Sequence, residues 1–416
     1  MKPVEPEIAP LNSDVPYYVS ALAMGLPAMC FGLTIQPWID LVHMVRGGYI
    51  DFRHLYAAGY MLRSGHASQL YNYAVQKVFQ DTLVSIFSLP LPFNHLAYES
   101  LIFVPFTFLP YRVAFAAYFA FNVGLLVICF RLMRSHLAQL YPVWRWLPIA
   151  LFVGFVPLSV TLMQGQDSII LLTLLVGAFV AFTNKREYEA GALVGLGMFK
   201  FQLVIPIAAL FLAWRQWRFT LGFTLSSAFT VALSIFLVGL QGFRPYVEML
   251  RSMSSQLTPE GQALYAVPPN FMANMRGLIY ALAGSRLGPG SLHLMVVSLS
   301  ALIFLGVAFS AAKASADTFL VAVVASSVLS YHMLAHDMSI LLLPIAVTLN
   351  QFIQAEGSHD LLARLKLRTA TLAFVASSLV AIHRPVFFAA SLPVIAFLAA
   401  LCSRRNLASS VSGGAA

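Results

Sequence analysis

Apolar stretches recur along this chain from Val15 to Cys402, and although some are short, many are close to the run of about 20 residues that a helix needs to cross a hydrocarbon core of about 30 Å. The runs are continuous and do not alternate with polar residues, as the strands of a membrane β-barrel would. Hydrophobic residues make up 59% of the chain and charged residues only 10%, with a mean hydropathy of +0.80. The expected class is an all-α polytopic membrane protein with roughly 10–13 transmembrane helices. The expected organisation is an N-terminal tail (1–14), one transmembrane domain (15–405) and a disordered tail (406–416).

The first apolar segment, Val15 to Gln36, reads as a retained helix. Its leader is acidic, and Met29 before Cys30 is a poor cleavage site. Two stretches are too polar and too long to be simple turns, a first long loop at 37–95 and a second at 241–289. In the first, Tyr56, Tyr60 and Leu62, then Leu70, Ala74, Val78 and Phe79, fall at helical spacing. They predict two short amphipathic helices on the membrane surface, broken at Arg63-Ser64-Gly65-His66. The second, rich in proline, asparagine and glutamine, reads as a loop with one or two short helices. The remaining spans are expected near 96–110, 112–132, 147–163, 168–183, 190–200, 201–214, 219–240, 291–311, 317–333, 338–353, 369–383 and 386–402. Gly191 to Gly197 carries small residues four apart, suited to close helix packing.

The net charge is +9. Placing Arg215 to Arg218, Lys313, Arg364 to Arg368 and Arg404-Arg405 in the cytoplasm puts both long loops outside. The excess positive charge also suits anionic lipid headgroups. The expected location is the cell inner (plasma) membrane, multi-pass, with membrane lipids as surroundings. The basic residues are scattered among the spans, so no nucleic-acid partner is expected. Cys30, Cys129 and Cys402 sit in apolar surroundings and form no disulfide or metal framework.

Ionisable residues within apolar surroundings are costly and mark candidate sites. Asp51, in Tyr49-Ile50-Asp51-Phe52-Arg53-His54, is a carboxylate just past the first span, ringed by aromatic and basic residues. It reads either as a general base or as the cap of the helix that starts there. Its neighbours Arg53 and His54 are candidate substrate contacts. His95 and Glu99 are four apart and share a helix face. Gln164-Gly165-Gln166-Asp167 interrupts two spans; a turn explains Gly165 and Asp167, while Gln166 can bond sugar hydroxyls. Lys200, with Gln202, splits an otherwise apolar stretch and reads as a phosphate-binding cation or a snorkelling side chain. His336-Asp337 reads as a turn or as a proton-transfer or phosphate-contacting pair. Asn270, Asn274 and Arg276 read either as substrate contacts or simply as the polar residues of a loop, and His383-Arg384 reads as an interfacial anchor. No Asp-x-Asp, P-loop, zinc spacing or Gly-x-Ser-x-Gly occurs, so no metal site or cofactor is expected.

The order of these features, Asp51, Leu70-Tyr71, Pro92 to Tyr98, Gly165-Gln166, Ala190 to Leu196 and Lys200 with Gln202, resembles glycosyltransferase family 87. These are GT-C membrane enzymes that include polyprenyl-phosphate-mannose-dependent mannosyltransferases. The resemblance covers about residues 15–353. It implies a GT-C-like bundle and a metal-independent, inverting hexosyltransferase. Such an enzyme takes mannose or another hexose from a polyprenyl-phosphate donor to a lipid or glycan acceptor at the outer membrane face. By the same resemblance Asp51 is the general base and Lys200 lies near the lipid phosphate. Asn94 to Tyr98 departs from the Tyr-Pro-Pro of many relatives, which bears on substrate choice. A lipid-linked-sugar flippase or transporter, and a structural membrane protein, are the competing readings. Transfer by purified protein, with and without Asp51, separates the three.

Overall fold

The computed structural model describes residues 17–86, 91–255, 269–310, 316–353, 355, 359–381 and 384–403. The two tails, Lys313, His383 and Arg404-Arg405 lie outside the described residues, as do the side chains of Asn270 and Arg384. Among the described residues the protein is all-α, as composition requires.

The N-terminal part holds α1 (Tyr17–Gly32), α2 (Ile35–Gly47), α3 (Phe52–Arg63) and α4 (Tyr73–Leu83). Helix α2 occupies the first residues of what was expected to be a long loop. Only Leu33 and Thr34 separate it from α1, with the Thr34 hydroxyl donating to the Phe31 carbonyl at 2.7 Å. The break between α3 and α4 falls where the sequence placed it. Helix α3, however, is not a surface helix. Phe52 to Gly59 are all buried. Its buried charge, Arg53, is satisfied internally by Asp81 at 2.8 Å and the Ser85 carbonyl at 2.5 Å. Gly59 lets the backbone of Phe103 close in on its other side.

Next come α5 (Ser100–Phe103) and α6 (Tyr111–Met133), then α7 (Leu147–Gly154) and α8 (Val156–Gln164), bent by 52°. Helix α9 (Ser168–Thr183) follows, and α10 (Glu187–Gly195) is bent by 61° from the segment that ends in α11 (Phe201–Ala213). Helix α12 (Trp217–Ser255) continues past a kink at Gly239 well into the expected second loop. That loop retains α13 (Met275–Ala283) in its second half. The remainder is α14 (Pro289–Ser310), α15 (Ala316–Leu329), α16 (Leu342–Phe352), α17 (Leu361–Val380) and α18 (Ser391–Cys402).

By length and composition four helical stretches among the described residues can cross a membrane, or six if each bent pair is one span. This is fewer than the roughly 10–13 that apolar runs alone suggest. The runs at 190–200 and 201–214 form a single bent unit. Those near 168–183, 317–333, 338–353 and 386–402 form helices of 10–17 residues. The small-residue run at Gly191 serves packing. Helices α10 and α12 cross so closely that a Cβ on Gly191 would run into the Phe219 carbonyl, and one on Gly222 into that of Tyr188.

Two apolar cores result. The larger joins α9, α11 and the helices from α15 to α18. The smaller gathers α3, Phe103, Tyr118 and the far end of α12. Tyr98, Ile170 and Met198 pack against both. These three flank Glu99, Asp167 and Lys200 in the chain, so the seam between the cores is where the buried charges lie.

Candidate active site

Each charged side chain at the seam stands at a break in a helix. Gly165 ends α8 in the left-handed conformation (φ 63°). A Cβ there would come within 2.7 Å of the Phe52 Cβ, so glycine both makes the turn and lets it rest on the start of α3. The next residue therefore reaches Asp51. Gln166 Nε2 donates to Asp51 Oδ2 at 2.7 Å. Asp51 occupies the cap position of α3 but makes no capping bond. Its carboxylate is half-buried and turned to Gln166, and Oδ1 accepts no hydrogen bond among the described residues. Tyr118 steadies the turn by donating to the Gln166 carbonyl at 3.2 Å.

Asp167 is fully buried, 2.9 Å from Lys200 Nζ and 3.1 Å from His95 Nδ1. Lys200 sits in a 3-10 turn (Met198–Lys200) at the 61° bend. Tyr98 braces that turn, donating to the Leu196 carbonyl at 2.6 Å and accepting from the Phe199 N–H at 3.0 Å. The ammonium also reaches Asp337 Oδ1 at 2.6 Å. Asp337 is further held by the Ser168 hydroxyl at 3.2 Å and the Leu334 N–H at 3.0 Å. His95 meets Glu99 at 2.5 Å, as their four-residue spacing suggested. Burial alone would lower the pKa of His95, but the carboxylates of Glu99 and Asp167 outweigh it and raise it to about 10. His336 approaches Gln164 Oε1 at 3.1 Å and Asp337 Oδ1 at 3.5 Å. The buried His54 ring lies 6.2 Å from that of His95, and its Nδ1 has no hydrogen-bond partner among the described residues.

The structure thus brings together Asp51, Gln166, His95, Glu99, Lys200, His336 and Asp337, with His54 at their edge. It sets two candidates apart. Arg53 bonds Asp81 and Gln80 of α4 and Ser85 just beyond it, bracing α3 against that segment. Gln202 is half-buried, and no described hydrogen bond joins it to the cluster. Lys200 joins the cluster. It does not snorkel, being 2% exposed, and its charge is already met by two carboxylates. Asp167, read from sequence as a turn residue, is the hub of the network. The signal was available, since it is a charge between two apolar runs just as Lys200 is.

One imidazole nitrogen and two carboxylate oxygens of His95, Glu99 and Asp167 lie within 4.8 Å of one another, a set that could hold a divalent cation. As they stand, an imidazolium between two carboxylates satisfies the same geometry.

Residues 99–344, more than half of the chain, match the family model described as Glycosyltransferase family 87. The chain is also similar to the polyprenol-phosphate-mannose-dependent alpha-(1-2)-phosphatidylinositol pentamannoside mannosyltransferase of Mycolicibacterium smegmatis. The two are 26% identical over 293 residues, covering 69% of this chain and 66% of that protein, just under two thirds of its length. No solved structure matches the chain.

Proposed function

The chain belongs to glycosyltransferase family 87, and on that footing we propose that it transfers a hexose, with mannose favoured, from a polyprenyl-phosphate donor to an acceptor hydroxyl. The acceptor is a lipid or glycan, and the reaction takes place at the outer face of the cell membrane. The observation that carries the mechanism is the Asp51 carboxylate, held through one oxygen by Gln166 with the other open.

The acceptor oxygen attacks the anomeric carbon from the face opposite the phosphate. A new carbon–oxygen bond forms as the bond from carbon to phosphate oxygen breaks, and configuration inverts. The leaving phosphate carries off the electron pair, turning from a diester into a monoester. The hydroxyl proton passes to Asp51. Because the lipid phosphate is already a good leaving group, cationic side chains suffice for its developing charge, and no metal is required in this reading. Phosphatidylinositol pentamannoside, named for the relative, marks a mannosylated lipid as the first acceptor to try.

Purified protein, a polyprenyl-phosphate mannose and a panel of lipid acceptors test the reading. Transfer is expected from wild type and is expected to be lost in Asp51→Asn, with thermal stability nearly unchanged. A fully active Asp51→Asn enzyme would remove Asp51 from the chemistry. Donor binding without transfer to any acceptor would favour a flippase.

A further inference from the structure

The proposed donor brings a lipid-borne phosphate, and the buried cluster at the seam cannot receive it. Lys200 and His95 face three carboxylates, Glu99, Asp167 and Asp337. The formal charges there leave no net positive charge for an anion even before Asp51 is added. The Lys200 ammonium already lies 2.9 Å from Asp167 and 2.6 Å from Asp337.

A different cation stands apart from the described carboxylates. Arg276, in the first turn of α13, is 6% exposed and pairs with no carboxylate among the described residues. Its guanidinium lies over the Tyr331 ring at 4.0 Å and near that of Tyr280 at 5.6 Å. Nη1 makes only a long bond to the Tyr331 carbonyl at 3.5 Å and a contact with the Met272 sulfur at 3.8 Å. Nε and Nη2 make no hydrogen bond among the described residues, and neither is sealed from solvent. A buried charge without a counter-ion is costly, so a guanidinium kept this way, with two N–H donors open, is suited to an anion that arrives with a ligand.

Its position is fixed. Asn274 Nδ2 donates to the Ser330 carbonyl at 2.7 Å, and the Ala273 N–H to the Met333 carbonyl at 3.0 Å. The turn that carries Arg276 is therefore clamped along Ser330 to Met333. The same segment continues to His336 and Asp337, and so to Lys200. Between the two ends lies His332, half-buried and within electrostatic reach of Arg276, His336, Asp337 and Lys200.

We propose that Arg276, laid flat on Tyr331, receives the donor phosphate through its Nε and Nη2 fork, and that Lys200 holds the framework and not the ligand. This rests on the polyprenyl-phosphate reading above. The fork suits two phosphate oxygens at once, which a lysine cannot match.

The test is binding, not turnover. Full-length protein in nanodiscs is titrated with undecaprenyl phosphate, undecaprenol and phosphatidylinositol. Wild type is expected to bind undecaprenyl phosphate well above undecaprenol. Arg276→Gln is expected to lose about ten- to a hundredfold of that preference, the scale of a charge-assisted contact. Arg276→Lys is expected to recover only part, and Tyr331→Leu to weaken binding several-fold. If Arg276→Gln fails to fold, Arg276→Lys decides, because wild-type binding by a folded lysine variant would refute the fork. Undecaprenyl phosphate binding that is unchanged in Arg276→Gln would overturn the assignment and leave the donor reading standing. Loss confined to phosphatidylinositol would also overturn it, giving the phosphate to the acceptor. A wild type that binds no undecaprenyl phosphate would sink both readings.

Discussion

Lys200 Nζ lies 2.6 Å from Asp337 Oδ1, a contact between residues 137 apart in the chain and both nearly inaccessible to water. With Asp167 on its other side, this lysine ties the 61° bend to two other helix breaks. Removing one partner from a buried ion pair typically costs about 3–5 kcal/mol, because the remaining charge is left unpaired. Lys200→Met should therefore lower the melting temperature sharply, and Lys200→Met with Asp337→Leu should recover part of it. Thermal unfolding in detergent measures both. A Lys200→Met protein as stable as wild type, but unable to bind a lipid phosphate, would return the ligand role to Lys200.

Gln166 orients the proposed base through one hydrogen bond. Gln166→Leu should lower kcat about ten- to a hundredfold, since a misplaced catalytic group loses much of its advantage. Donor KM should stay within about twofold if the residue only positions Asp51. Steady-state kinetics with donor and acceptor varied separately distinguish this from direct sugar binding, where KM would rise instead.

Chelation addresses the set of His95, Glu99 and Asp167. Transfer is expected to persist in EDTA, with no metal detected in the purified protein by elemental analysis. Activity lost on chelation and restored by magnesium, manganese or zinc would put a cation where the His95 proton now sits.

His95 carries its own pH signature. Its pKa rises from the ordinary value of 6.5 to about 10 in the folded protein, so the folded state holds its proton more tightly than the unfolded state does. The stabilisation is complete below about pH 6.5 and declines as pH rises toward about 10. Wild type should thus lose melting temperature across this range more steeply than His95→Asn. Parallel slopes for the two proteins would show that His95 is neutral when folded.

Much of this site could be read from the sequence for one physical reason. A charge between apolar runs is conspicuous, which is how Asp51, Lys200 and Asp337 were found. His95 and Glu99 were also paired by spacing, since four residues make one helical turn. Partnership across the chain was not readable. Nothing near Arg53 in sequence says that Asp81 and Ser85 wait 28 and 32 residues later, so it looked available to a substrate. Nothing near Arg276 in sequence says that its guanidinium lies on the ring of Tyr331, 55 residues later. Bends were equally hidden, because an apolar run has the same composition whether the helix passes straight through or folds back at Gly197. That is why counting runs gave more spans than the four to six that helix length and composition pick out among the described residues.

The crossing of α10 and α12 has a consequence for anyone mapping this protein by mutation. Gly191 and Gly222 face each other's helix backbones with no room for a methyl group. Neither residue has anything to offer a reaction. Yet alanine at either should push the helices apart, and Gly195 presses on the same helix at Phe223 one turn further along. The bend that presents Lys200 begins a few residues after it. In a saturation library scored by growth or product, these glycines would rank beside Asp51 as intolerant positions. Only a parallel screen for folded protein in the membrane would tell a lost catalyst from a spread crossing.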